Sequence, residues 1–140
     1  MAIQQGLTIS FRQEILQGEQ DLLSDTLYIA LYTALSNIGP NTTVYSTADE
    51  ITGAGYTAGG RQLQNASIET SPSGDIYVSF DNVSWTNASF TTRGALIYNQ
   101  TRGNKSIAVL NFGSDKTCSN QTFTITMPPN TATTALLRFY

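Results

Sequence analysis

After Ser24-Asp25 the spacing of apolar residues changes from a helical period to an alternating one, and it does not change back. Before that point Phe11, Ile15, Leu16, Leu22 and Leu23 mark a single apolar stripe. Ser10 and Gln13 stand at capping-box separation, and Glu14 falls in the first turn, where the helix dipole favours a negative charge. These signals predict one α-helix over about 10–22, weakened in the middle by about 1 kcal/mol at Gly18. From Thr26 to Thr33, Leu27, Ile29 and Leu31 share one face and Tyr28 and Tyr32 the other. That pattern is a strand expected to be fully buried on its Leu/Ile face and half-buried on its Tyr face.

Beyond a long loop at 34–60, every candidate element reads as strand. Leu63–Glu69 and Asp75–Asp81 are candidates, with Pro72-Ser73-Gly74 as the turn between them. Ser84–Thr86 and Ser89–Thr92 read as short or irregular strand, followed by Gly94–Asn99, Ser106–Phe112, Gln121–Met127 and Thr134–Tyr140. Asn99–Asn104 and Gly113–Lys116 have the composition and length of hairpin links, and Pro128-Pro129 stops the penultimate strand. The expected fold is mainly β: an antiparallel β-sandwich or small barrel of seven or eight strands with one N-terminal helix. Residues 1–9 are polar and without period, so they read as an arm that orders against another surface; 10–140 reads as one sandwich domain.

Composition narrows the chemistry. Only 12% of the 140 residues are charged, about half the ~25% usual for soluble domains. Thr 20, Ser 13, Asn 10 and Gln 9 fill the difference. The net charge of -3 argues against a nucleic-acid partner, which needs clustered cations. With no His and one Cys, His-dependent triads, most zinc sites and an internal disulfide are excluded. Cys118, flanked by Thr117 and Ser119, reads as an incidental thiol in a polar loop. The first ten residues have neither the basic start nor the apolar run of a signal peptide, and no stretch approaches the ~20 apolar residues of a membrane span. Asn-x-Ser/Thr triplets begin at Asn41, Asn65, Asn82, Asn87, Asn99, Asn104 and Asn120. They suit either glycosylation in a secreted protein or, as favoured here, small polar residues repeating along exposed strands.

The motifs resembling active sites fail on inspection. Gly55 to Gly60 has P-loop spacing, but Arg61-Gln62 replaces the Lys-Ser/Thr pair and no helix pattern follows. A dinucleotide fold is excluded because no βαβ unit surrounds these glycines, which read instead as positive-φ positions that let Tyr56 pack. Asp49, Glu50, Glu69, Asp75, Asp81 and Asp115 could supply a glycosidase pair or, at Asp49-Glu50, a calcium ligand set; most read as turn and strand-end residues. Hydroxyl nucleophiles lack a base, and neither Lys105 nor Lys116 follows a Ser-x-x-Lys arrangement. The reading is therefore non-enzymatic, with no cofactor and no metal. Tyr28, Tyr32, Tyr45, Tyr56, Tyr77, Trp85, Tyr98 and Tyr140 divide between core packing, subunit interface and a sugar-stacking platform.

One resemblance goes further. Phe11–Gly18, Ser24–Thr33, Tyr45-Ser46-Thr47, Asp49-Glu50, Gly55–Gly60, Arg93–Asn99, Ala108–Lys116 and Leu136-Leu137-Arg138 together resemble small virion proteins of tailed bacteriophages. The likeness spans roughly 10–139 and is most specific from Ser24 to Gly60. It implies a virion structural protein assembled in the bacterial cytoplasm, with no membrane partner. The leading expectation is a capsid decoration (cement) protein that braces major capsid subunits as a homo-oligomer, a trimer being one arrangement. The alternatives are a tail, neck or fibre-attachment component and a host-surface carbohydrate-binding module. The expected assembly contacts are the arm, the helix stripe at Phe11, Ile15 and Leu16, then Tyr45, Gly55, Tyr56, Gly59 and Gly60.

Overall fold

The structure, a computed structural model, describes residues 2–128, 130–131 and 135–139. In chain order the elements are β1 (Gly6–Leu7), α1 (Ile9–Leu16), β2 (Leu27–Tyr32), β3 (Arg61–Gln62), β4 (Ser67–Thr70), β5 (Ile76–Ser79), β6 (Val83–Asn99), β7 (Lys105–Ile125) and β8 (Leu137–Phe139). They build two antiparallel sheets that do not close into a barrel. One has the order β1-β7-β6-β2-β3 and the other β4-β5-β8. Leu27, Ile29, Leu31, Ala95, Ile97 and Ile107 on the larger sheet meet Val78, Phe80 and Leu137 of the smaller side in the main core.

The helix is shorter than expected, 8 residues, and ends at Leu16 rather than near residue 22. Its N-cap is Thr8, whose hydroxyl accepts from the backbone N–H of Phe11. Ser10 lies inside the helix and bonds to the Ser106 hydroxyl instead, and Glu14 falls beyond the first turn. The C-terminal stop is Gly18, at φ 74°. Past it Asp21 organises a separate turn, its carboxylate accepting from the N–H groups of Leu23 and Ser24. Leu22 reaches the core from that turn, so helical spacing there did not mean helix.

The strand boundaries differ for a common reason. The candidates at 84–86, 89–92 and 94–99 are one strand, β6, and those at 106–112 and 121–127 are one strand, β7. Gly113–Lys116 is therefore not a hairpin link. The register passes from Thr92↔Lys116 to Gly94↔Asn111, so residues 112–115 oppose Arg93 alone, and Gly113 takes φ 82° to accommodate the bulge. Cys118 is correspondingly not in a loop but buried in β7, with its thiol 3.7 Å from the Phe90 carbonyl. Of the 63–69 candidate only its second half is strand, in β4, while β3 lies just before it, and the final candidate is represented by β8; Thr134 and Tyr140 lie outside the described residues. β7 ends three residues before Pro128, while Pro129 is not among the described residues.

Residues 2–7 are seated on the chain's own sheet. β1 pairs with β7 at Val109 and Ala108, and Ile3 is 4% exposed. Ile3, Ala30, Tyr32, Ile38, Leu96, Tyr98 and Val109 form a second core on the outer face of the larger sheet. Gly94 lies beneath this arm, where a Cβ would stand 2.8 Å from the Ile3 Cδ1. The Tyr face of β2 is consequently more enclosed than its alternation suggests, with Tyr32 only 1% exposed. Asn65, Asn87, Asn104 and Asn120 adopt left-handed backbone conformations, which Asn tolerates better than most side chains. Turn and bulge geometry thus explains four of the seven Asn-x-Ser/Thr triplets. Asn99 is fully buried, with its amide nitrogen donating to Gln20 and Asp25.

Candidate assembly surface

The segment between β2 and β3 lies partly over the outer face of the larger sheet, at Ile38 and Tyr45, and partly against the main core, at Ile51 and Tyr56, and one carboxylate gathers several of its groups. Glu50 follows a loop that returns to the sheet through a bridge to Tyr32. Its Oε1 accepts from the Tyr45 hydroxyl at 2.6 Å; its Oε2 accepts from the Tyr56 hydroxyl and, at 2.8 Å, from the Gly59 N–H. The Tyr56 oxygen also accepts from the Leu31 N–H at 3.0 Å, so the loop is tied directly to β2. The Tyr98 hydroxyl donates to the Gly59 carbonyl at 2.7 Å, and that of Tyr32 to the Ser46 carbonyl at 2.6 Å. Three rings stack across this face: Tyr28 on Tyr98 at 5.9 Å, and Tyr98 on Tyr45 at 4.6 Å.

Burial of these phenols, with the negative charge of Glu50 beside them, raises the pKa of Tyr32, Tyr45 and Tyr56 well above the usual tyrosine value. Tyr98 is pushed up to about 12 by the same two causes. The phenols therefore remain proton donors, as the bonds to Glu50, Gly59 and Ser46 require.

Glycine permits the close crossing. At Gly60, with φ 82°, a Cβ would lie 1.8 Å from the Ile29 carbonyl oxygen. At Gly55, also at φ 82°, it would lie 2.9 Å from the Ala88 Cα. Tyr56 inserts between these two points, its ring centroid 5.9 Å from Phe90 and 6.2 Å from Trp85.

The expected contact residues separate into two groups. Tyr45, Tyr56, Gly59 and Gly60 converge around Glu50, while Gly55 is exposed at the loop's outer turn. Phe11 is wholly buried and packs 6.2 Å from Phe139, so it anchors the helix and presents nothing to a partner. Ile15 is half-buried against the core. Leu16 is 88% exposed, and Ile9, two turns before it on the same side of α1, is 50% exposed.

Sequence reasoning weighed Glu50 only as a catalytic or calcium-binding acid and did not find its role as the loop's hub. Its distinguishing signal is a carboxylate flanked in one loop by Tyr45 and Tyr56. A second polar cluster was also missed. Asn99 donates to Gln20 and Asp25, Arg102 Nε donates to Asp25 at 2.9 Å, and Gln20 donates to Glu14 and to the Ser106 carbonyl. Burial opposes ionisation of Asp25, but hydrogen bonds from Arg102, the Asp21 N–H and Asn99 outweigh it and hold its carboxyl below the ordinary value.

Among the described residues no three His, Cys, Asp or Glu side chains gather in a way that could hold a metal ion. No helix among them is long and apolar enough to cross a membrane. The arrangement ties a hydroxyl-rich loop to the sheet through the Glu50 carboxylate. No protein-family model, no curated protein and no solved structure matches this chain.

Proposed function

We propose that the chain is a non-enzymatic structural subunit of a tailed-bacteriophage particle, most concretely a decoration protein that braces neighbouring major capsid subunits as a homo-oligomer. The observation that carries the reading is the uncovered apolar side of α1, where Ile9 and Leu16 face solvent one above the other. Docking this side on a neighbouring subunit removes apolar surface from water, which stabilises a joint at about 25 cal/mol per Å² buried. A loop braced by Glu50 and a Thr/Ser-rich chain of low charge suit close packing among many copies, because little charge has to be desolvated.

The test is co-sedimentation of an Ile9→Asp/Leu16→Asp variant with particles that lack the native chain. Retention falls at least roughly tenfold if this side docks, while the melting temperature stays near that of the parent. Unchanged retention removes the helix from the interface. Densitometry of purified particles separates decoration from a tail or neck position: a copy number near that of the major capsid protein supports decoration, and a single ring's worth supports the tail.

A further inference from the structure

Two exposed patches of this chain complement each other in charge. The first is the open side of α1. Arg12 stands three residues after Ile9 and four before Leu16, so it shares their side of the helix and is itself exposed. It makes no ion pair among the described residues. The neighbouring acids Glu14 and Glu19 are both taken by Lys105, at 3.6 Å and 2.7 Å. The side is therefore a free cation flanked by the exposed apolar surface of Ile9 and Leu16.

The second patch is built at the end of β2. Residues 33–36 turn there, the Ser36 N–H donating to the Thr33 carbonyl, and the turn carries Leu35 at 78% exposure. Asp49 is fixed beside this turn, because the Thr33 N–H donates to the Asp49 carbonyl at 2.9 Å. Asp49 is exposed and makes no ion pair among the described residues. A free carboxylate next to an exposed leucine is the counterpart of a free guanidinium next to Ile9 and Leu16.

Within one copy the patches stand apart. The helix bonds to Ser106 of β7, which pairs with Tyr98, whereas the 33–36 turn follows Tyr32, which pairs with Gly94. Tyr98 and Gly94 are four residues apart on β6, about 13 Å along the strand. β6 also separates β7 from β2 in the sheet. Bringing the two patches together takes two copies.

We propose that copies of this chain join head to tail, with Arg12 of one copy on Asp49 of the next and Leu35 packed against Ile9 and Leu16. The joint uses a different patch on each copy, so it repeats from copy to copy instead of stopping at a two-fold dimer. The proposal rests on the reading that the open side of α1 docks, and it names a second copy as what covers that side.

Sedimentation equilibrium of the full chain, without particles, reads the joint. The parent is expected to rise above the monomer mass between about 10 and 500 µM. Arg12→Asp and Asp49→Arg each set like charges across the joint and are expected to weaken association at least roughly tenfold. Mixing these two variants, or combining both substitutions in one chain, restores opposite charges and is expected to recover association to within about threefold of the parent. Asp49→Asn, whose side chain suits the left-handed φ of 62° at this position, is expected to weaken association about threefold. Lys116→Gln, at another exposed cation without an ion pair among the described residues, associates as the parent does. Circular dichroism establishes that each variant is folded. The proposal is overturned if the parent stays monomeric up to about 500 µM. It is equally overturned if folded Arg12→Asp or Asp49→Asn associates as the parent does, or if the folded double variant fails to recover. Because no particle is present, a monomeric parent removes this joint and leaves co-sedimentation to decide whether α1 docks on the capsid.

Discussion

Replacing Glu50 isolates what holds the β2–β3 segment against the sheet. In Glu50→Ala the hydroxyls of Tyr45 and Tyr56 and the N–H of Gly59 lose their acceptor together. Hydrogen bonds to a charged group contribute about 1.5–3 kcal/mol each when buried, and the half-buried position of Glu50 reduces this to roughly 1 kcal/mol apiece. The expected loss is about 3 kcal/mol, equivalent to roughly 10 °C in melting temperature for a domain of this size. Glu50→Gln is the sharper comparison. Its amide oxygen can take the place of Oε2 and keep both Tyr56 and Gly59, while its nitrogen donates to a rotated Tyr45 hydroxyl. Geometry survives and only the charge is lost, so the cost is about 1–1.5 kcal/mol. Urea denaturation read by Trp85 emission measures both, because Tyr56 packs 6.2 Å from that ring. A double-mutant cycle with Tyr56→Phe is expected to give a coupling of about 1 kcal/mol. A shift below about 3 °C for Glu50→Ala, or equal losses for the Ala and Gln variants, refutes the hub.

Alkali attacks the same cluster with a defined sign. Tyr32, Tyr45, Tyr56 and Tyr98 have folded pKa values raised above the unfolded value near 10, so the folded state holds more protons above that pH. Stability is intact below pH 10 and declines as pH rises towards about 12, where Tyr98 titrates. Absorbance at the tyrosinate band is expected to show these four ionising together with unfolding. A matched glycine pair tests the loop crossing: Gly60→Ala, with its Cβ placed on the Ile29 carbonyl, should prevent folding, whereas Gly18→Ala, in open space at φ 74°, costs about 1 kcal/mol. Soluble yield and melting temperature distinguish them. On the helix, Phe11→Ala is expected to cost about 3–5 kcal/mol, whereas Leu16→Ala changes stability by less than about 0.5 kcal/mol, read from urea midpoints.

How far these features were legible depended on the range of the forces involved. The faces of β2 follow from side-chain alternation, a property of the local backbone, and Leu27, Ile29 and Leu31 are on the expected side. The helix end at Gly18 was underweighted because Leu22 and Leu23 continue an apolar spacing that a turn can serve equally well. Gly113–Lys116 has turn composition, but a bulge draws on the same residues, and only pairing with β6 distinguishes the two. For the site, Tyr45, Tyr56, Gly59 and Gly60 fall in the long loop that the sequence marks, but the acid that joins them carries no local signal of that role.

Patterning alone committed this chain to one helix followed by antiparallel strands, since apolar period and turn chemistry act between near neighbours. Its composition likewise leaves no His-dependent triad and no internal disulfide. The second core could not be read this way. Whether the Tyr face of β2 meets water or Ile3, Ile38 and Tyr45 depends on residues far along the chain, and on whether residues 2–7 pair with β7. The same holds for Glu50 and Trp85. A carboxylate becomes a hub, and an indole N–H becomes an unsatisfied donor, only when folding removes their water and fixes which distant groups replace it.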